Sequence, residues 1–224
     1  MKNVFFWGAS GQAIVLEEIL SNSGYKIIAL FDKNSLVKAP FASPIFHKED
    51  DLFEYFQNFS DIHYVVAIGG AKGNDRLAIH NYLRAKNLIP ISVIHRKAIL
   101  AENISIGEGC QILIGAVIAT RVKLGISVIV NSSASIDHEC FIDDGSHIAP
   151  GVKIAGNVNI GKNCFIGTGS IIGPRVTVGS NTTIGAGSVV LKDIPEGVIA
   201  YGSPVKIIRD NMQIGLGITN SKRK

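Results

Sequence analysis

Tryptophan occurs once in the 224 residues, at Trp7, and aromatic residues together reach only 7%. A core built on rings is thereby excluded, and the interior has to be aliphatic. Charged residues are also scarce, at 18%, against 46% apolar residues, which excludes a disordered chain. No predominantly apolar stretch approaches the ~18 residues that cross a bilayer, so an integral membrane protein is excluded. Cysteine is limited to three residues with no CxxC pair, which fits neither a disulfide framework nor a zinc finger and makes the reducing cytoplasm the expected setting. The first residues hold only four consecutive large apolar side chains, Val4 to Trp7, short of the ~7–15 of a signal-peptide core. They read as a β-strand. The net charge of +4 is spread along the chain, and its one dense basic run, Lys222-Arg223-Lys224, reads as a solvated tail rather than a nucleic-acid site.

Glycine is what the chain has in excess, 24 residues, and much of it falls within a repeat. Starting at Ile106 and stepping by six gives Ile112, Ile118, Leu124, Val130, Ile136, Ile142, Ile148, Ile154, Ile160, Ile166, Ile172, Val178, Ile184 and Val190. All are branched aliphatics. Two residues before each lies a register that, after Ile104, is always Val or smaller, including Cys110, Ala116, Val128, Cys140, Ser146, Cys164 and Ser170. The residue after the aliphatic is often glycine, as at Gly107, Gly125, Gly161, Gly167, Gly173, Gly179 and Gly185, which predicts a sharp corner there. A period of six is neither the 3.6 of a helix nor the 2 of a strand. It predicts a parallel β-helix with three short strands per 18-residue coil, and the fifteen hexapeptides make five coils, a prism ~24 Å long. All three cysteines fall in the small inward register and read as core filling rather than nucleophiles.

The first ninety residues alternate differently. Val4 to Trp7 reads as a strand, Gly8-Ala9-Ser10-Gly11 as a turn opening a helix, and Ile27 to Phe31 as a strand ending at Asp32. A helix over Asp50 to Phe59, a strand over Tyr64 to Ile68 ending at Gly69-Gly70, a helix capped by Asn74 or Asp75, and a strand over Ile91 to Ile94 complete a small parallel sheet with helices on its faces. The expected organisation is a Rossmann-like domain over 1–95, a β-helix over 96–210 and a tail over 211–224. A ligand of such a sheet lies beyond the carboxyl ends of the strands, where Ser10, Asp32 and Gly69 fall, with a helix N-terminus at Gly11 to receive a phosphate. The glycine pattern lacks the first pair of a dinucleotide fingerprint, which favours one nucleoside diphosphate moiety over NAD. The plain alternative is a tight turn without a ligand.

Only His138 and His147 lie within the repeat. His138 follows Ile136 by two residues, at an outward corner, and one coil of 18 residues later stands Gly156. Glycine there leaves a backbone N–H uncovered, as an oxyanion donor requires. A second column 18 residues apart, Pro150, Thr168 and Ala186, offers small outward side chains that leave room for an extended ligand along the prism. The alternative for His138 is a merely solvated side chain.

The segment Asn131 to Cys140 with Asp137-His138-Glu139, then His147-Ile148-Ala149-Pro150-Gly151 and Ala155-Gly156-Asn157, resembles the hexapeptide-repeat acyltransferases. With Gly8-Ala9-Ser10-Gly11 and Gly202-Ser203-Pro204-Val205-Lys206, the resemblance spans nearly the whole chain. It points to the sugar acyltransferases that include sialic-acid O-acetyltransferases and N-acetyltransferases of UDP-linked 4-amino-4,6-dideoxy sugars. The resemblance implies a left-handed β-helix, a homotrimer with active sites between neighbouring prisms, acetyl-CoA as co-substrate and no metal. It implies His138 as general base, Glu139 as its orienting partner and Gly156 N–H as oxyanion donor. His147, Thr168, Ala186, Pro204 and Lys206 would line the acetyl-CoA path, and Ser10, Gly11, Gln12, Asp32, Lys33 and Gly69 would hold the nucleotide sugar. Many relatives carry histidine where this chain has Gln12. The expected reaction is N-acetylation of a nucleotide-linked 4-amino sugar, with sialic-acid O-acetylation and a non-catalytic sugar-nucleotide scaffold as alternatives. A β-helix carbonic anhydrase needs three zinc-binding histidines, and two in the repeat do not complete that set.

Overall fold

Val4-Phe5-Phe6-Trp7 forms the centre of β1 (Lys2–Trp7) and is buried throughout, as a strand with parallel neighbours on both sides must be. In the computed structural model, which describes residues 1–211, there follow α1 (Gly11–Leu20), β2 (Tyr25–Phe31), β3 (Ile45–Phe46), α2 (Glu49–Phe56), β4 (His63–Val66), α3 (Gly73–Ala85) and β5 (Ile89–Pro90). The five strands form one parallel sheet in the order β3-β2-β1-β4-β5. Val4, Phe6, Leu30 and Val65 pack with Ala13, Leu16 and Ile19 of α1 on one face. Phe5, Trp7, Phe31 and Tyr64 pack with Leu52 and Phe56 of α2 and Leu83 of α3 on the other. The strand order reverses at β1, so the crevice between the carboxyl ends of β1 and β4 is where a ligand belongs.

The strand expected over 91–94 is in fact divided. Ile89–Pro90 closes the sheet, whereas Val93–Ile94 already pairs with Gln111–Ile112 as the first rung of the repeat. The repeat therefore begins two hexapeptides before Ile106, at Ile94 and Leu100. Neither Asn74 nor Asp75 caps α3. The cap comes from the repeat instead, where Asn163 Oδ1 accepts the Asn74 N–H at 2.9 Å.

From Val93 the chain winds into a three-sided parallel β-helix of two-residue strands in sheets of eight, six and five, the eight counting the longer strands Val198–Tyr201 and Lys206–Asp210, an antiparallel pair at its end. Residues 18 apart are paired, Ser135 with Lys153 and His147 with Phe165. The aliphatics from Ile112 to Val190 are all buried, each contributing about 1.5–3 kcal/mol. A polar atom in the small register needs a partner there. Cys110, Cys140 and Cys164 donate S–H, and Ser146 and Ser170 donate O–H, each to a carbonyl fifteen residues on, in the next coil. Burial pushes the Cys110 and Cys164 thiols up to about 12, which leaves them inert.

The sharp corner lies two residues later than the glycines suggested. Positive φ falls on Arg121, Glu139, Asn157 and Arg175, each three residues after an aliphatic. Glycine directly after the aliphatic answers a different need, close stacking of coils: a Cβ on Gly167 would lie 2.5 Å from the Ala186 nitrogen.

The N-terminal half covers the eight-stranded sheet, so Gln111, Ile129 and His147 point outward from the prism and are nevertheless buried. Gln111 Nε2 donates to the Val66 carbonyl at 2.7 Å, and His80 and Arg84 both approach Glu108 at 3.5 Å. No helix among the described residues is long and apolar enough to cross a membrane. The basic run Lys222-Arg223-Lys224 lies outside the described residues.

Candidate active site

His138 stands at the corner between the six- and five-stranded sheets, after the strand Ser135–Ile136 and before Phe141–Ile142. Its carbonyl accepts the Asn157 N–H at 2.8 Å and its own N–H donates to Asp137 Oδ1 at 2.7 Å, so its backbone is held on both sides. Its ring is half exposed, and Nδ1 lies 3.2 Å from Glu139 Oε2. A carboxylate only accepts, so Nδ1 carries a proton and Nε2 is the ring nitrogen turned toward Gly156. Glu139 is itself placed by a left-handed backbone, φ 58°, and by Arg121 one coil away at 3.4 Å.

Nε2 lies over Gly156. An ideal Cβ on Gly156 would be 2.4 Å from it, so only a glycine leaves room for the ring. Gly156 is buried, and its N–H has no hydrogen-bond partner among the described residues. The equivalent corner amides of Ile126, Asp144 and Lys162 are each taken by a side-chain oxygen. A base nitrogen and an unclaimed donor thus meet at one corner, the two parts that acyl transfer needs.

Pro150, Thr168 and Ala186 form an exposed column at a different corner, between the eight- and six-stranded sheets. The amides of Thr168 and Ala186 also have no partner among the described residues, and an added Cβ on Gly151, Gly169 or Gly187 beside them meets nothing within 4 Å. Pro204 is exposed beyond the last coil, where the register between coils falls from 18 residues to 16, and Lys206, at the start of the strand Lys206–Asp210, is exposed too. His147, expected to line the acetyl-CoA path, is only 5% exposed. The Gly70 carbonyl accepts from its Nδ1 at 3.2 Å, so Nε2 accepts from the Asn131 amide at 3.1 Å. Burial, then the nearby Arg76, push His147 down to about 4, so it is neutral at pH 7.

In the N-terminal crevice Ser10 precedes α1 without a side-chain cap, and the amides of Gly11 and Gln12 have no partner among the described residues. Asp32 ties its own loop to the glycine turn after β1, Oδ2 accepting the Ala9 N–H at 3.2 Å and Oδ1 the Asn34 N–H at 3.0 Å. Lys33 points away to Glu49 at 3.4 Å. Gln12 reaches the prism, its Nε2 donating to Gln111 Oε1 at 2.6 Å, while Gly69 faces its Oε1. Gly8 joins β1 to this turn at φ 110°, and a Cβ there would stand 2.5 Å from the Ala67 carbonyl oxygen. Gly8→Ala is expected to lose about 2–4 kcal/mol of stability, read as a lower urea midpoint at unchanged slope.

Within one chain, then, His138, Glu139 and Gly156 come together, and Gln12 and Gly69 come together. The column of Thr168 and Ala186 lies at another edge of the prism, and the crevice lies against its eight-stranded face. Arg76, Gln111 and Asn163 carry contacts between the halves and were not singled out from the sequence. The one signal for Arg76 is its place on the buried stripe of α3 with Leu77, His80 and Leu83. Among the described residues no three His, Cys, Asp or Glu side chains are grouped to hold a metal ion.

Residues 3–83 match the PglD N-terminal domain family and residues 157–192 the bacterial transferase hexapeptide (six repeats) family. A histidine-to-asparagine variant of perosamine N-acetyltransferase from Caulobacter crescentus, in complex with CoA and GDP-perosamine, is 29% identical with a TM-score of 0.86, over 94% of this chain and 98% of that one. The acetyltransferase domain of PglB from Neisseria gonorrhoeae is 30% identical with a TM-score of 0.83, over 93% of this chain and all of that one. The same domain in complex with acetyl coenzyme A matches equally well, over 92% of this chain and 99% of that one. With a left-handed β-helix carrying the repeat and a small parallel sheet before it, the chain belongs to the hexapeptide-repeat acyltransferase family.

Proposed function

We propose that the chain transfers the acetyl group of acetyl-CoA to the amine of a nucleotide-linked 4-amino-4,6-dideoxy sugar. The observation that carries this reading is His138 Nε2 lying over Gly156 while Nδ1 is held at 3.2 Å by the Glu139 carboxylate. The sugar amine attacks the thioester carbonyl and gives its proton to Nε2. The oxyanion takes the Gly156 N–H. The C–S bond then breaks, the amide forms, and the thiolate of CoA leaves with the proton from His138.

The thioester reaches this corner along the column of Pro150, Thr168 and Ala186, whose unclaimed amides suit the carbonyls of pantetheine, with Pro204 and Lys206 toward the nucleotide end of the co-substrate. His147 supports the path from below as a neutral ring. Because that column and His138 occupy different edges of one prism, the working assembly is a homotrimer in which the column of one copy faces His138 of the next. The sugar nucleotide is held at Ser10, Gly11, Gln12 and Gly69, and Asp32 and Lys33 shape the neighbouring loop. Support for this acceptor class comes from the similarity to a chain solved with GDP-perosamine. The cytoplasm, which supplies acetyl-CoA, is the proposed setting.

The test is thiol release from acetyl-CoA with UDP- and GDP-linked 4-amino-4,6-dideoxy sugars, a dTDP-linked analogue, and free and CMP-linked sialic acid. Release with an amino sugar is expected. Release with sialic acid alone would move the reading to O-acetylation, and release with none would overturn it.

A further inference from the structure

Arg76 is 1% exposed at the contact between the two halves. Its Nη1 donates to the carbonyls of Ile68 and Gly70, both at 3.3 Å, its Nε to that of Ser127 at 3.3 Å, and its Nη2 to that of Gly145. No carboxylate among the described residues lies within ion-pair distance of it. Burial lowers it to about 10, so it remains charged near neutrality. An unpaired buried cation is a costly way to join two surfaces that an apolar side chain could join as well. What the guanidinium does that an apolar side chain cannot is fix the direction of the carbonyls it meets, those of Ile68 and Gly70 among them.

That direction has a geometric consequence. A trans peptide points its N–H opposite to its C=O, and the only cis peptide among the described residues is Ser203–Pro204. With the Ile68 and Gly70 carbonyls held by Arg76, the N–H groups of Gly69 and Ala71 are turned the other way. Neither has a hydrogen-bond partner among the described residues. Gly70, between them, adopts φ 68°, and His147 Nδ1 holds the same Gly70 carbonyl from the prism side. Gly69 faces Gln12, across the crevice between β1 and β4.

We infer that Arg76 is a positioning residue for nucleoside diphosphate binding: by holding the Ile68 and Gly70 carbonyls it presents the Gly69 and Ala71 amides to phosphate oxygens in the crevice. The inference rests on the reading of this crevice as the sugar-nucleotide site. Arg76 touches no ligand itself.

The experiment titrates UDP, GDP and acetyl-CoA into the full chain and its Arg76→Lys variant by calorimetry, with thermal denaturation of both. Lysine keeps the charge but not the fork that spans two carbonyls. Expected is a loss of about tenfold or more in diphosphate affinity, the scale of a charged hydrogen bond, with acetyl-CoA affinity unchanged within about twofold. Equal weakening of all ligands with a fall in Tm, or unchanged diphosphate affinity, would overturn the inference. Should Arg76→Lys fail to fold, amide NMR of the wild-type chain decides. UDP or GDP must shift the Gly69 and Ala71 resonances, and a saturating diphosphate that leaves both unmoved refutes it. A wild-type chain that acetylates an amino sugar but binds neither diphosphate overturns this inference alone. One that does neither overturns the functional reading and this inference with it.

Discussion

His138→Ala is expected to lower kcat by about 10²–10⁴-fold, the range that a positioned general base contributes. The KM values for sugar and acetyl-CoA should stay near their original values, because the ring contributes the base and the binding groups lie elsewhere. Fold and Tm should also persist, since the side chain is half exposed and its coil is held by backbone bonds, Asn157 N–H to the His138 carbonyl among them. Steady-state kinetics alongside thermal denaturation checks both halves of the expectation. A variant with undiminished kcat would remove His138 from the mechanism and leave the fold assignment intact.

Gly156→Ala should come close to the same loss without touching the histidine. The added methyl occupies the place of Nε2, and the contact is relieved by the softer partner. That partner is the half-exposed imidazole, since Gly156 has no positive φ and its coil is stacked on both sides. The ring swings out, and a base displaced by about 1 Å loses on the order of 10²-fold in rate. The double variant separates this account from simple damage. If Gly156→Ala acts through the ring, adding it to His138→Ala changes kcat little further, because the two substitutions remove one function. A full further loss in the double variant would show that Gly156 acts through its own amide or through the fold instead. Urea denaturation of Gly156→Ala, expected to match the parent, guards the comparison.

The prism was legible from sequence because its period is a whole number and every inward position repeats one demand, large aliphatic or small. Even its true start can be read backwards in this way, since Ser92 with Ile94 and Ala98 with Leu100 keep the register. Reading 91–94 as a sheet strand concealed it. The corner glycines were legible in position and misleading in cause: they mark where coils approach, while the backbone turns at Glu139 or Asn157. His138 and Gly156 could be paired because one coil separates them. Arg76, Asn163 and Gln111 act across 51 to 99 residues of chain, and no local pattern carries such a contact. The burial of His147 was hidden for the same reason. Its outward register is correct for the prism alone, and only the packing of the N-terminal half upon it decides its surroundings.

The contacts between the halves run along the prism from Glu108 through Gln111, Ser127, Gly145 and His147 to Asn163. A coil is the smallest piece of this architecture that can be gained or lost without rotating everything beyond it, and each coil displaces the later ones by ~4.8 Å. Between Glu108 and Asn163 such a shift would carry some anchors away from their partners in the first half while leaving others in place. Beyond Asn163 it disturbs none of these anchors. The length of the prism is therefore constrained at one end and free at the other, and the free end is where Ala186, Pro204 and Lys206 lie. Divergent chains of this architecture can change the reach of that end by whole turns while the crevice, its buried arginine and the His138 corner keep their mutual geometry.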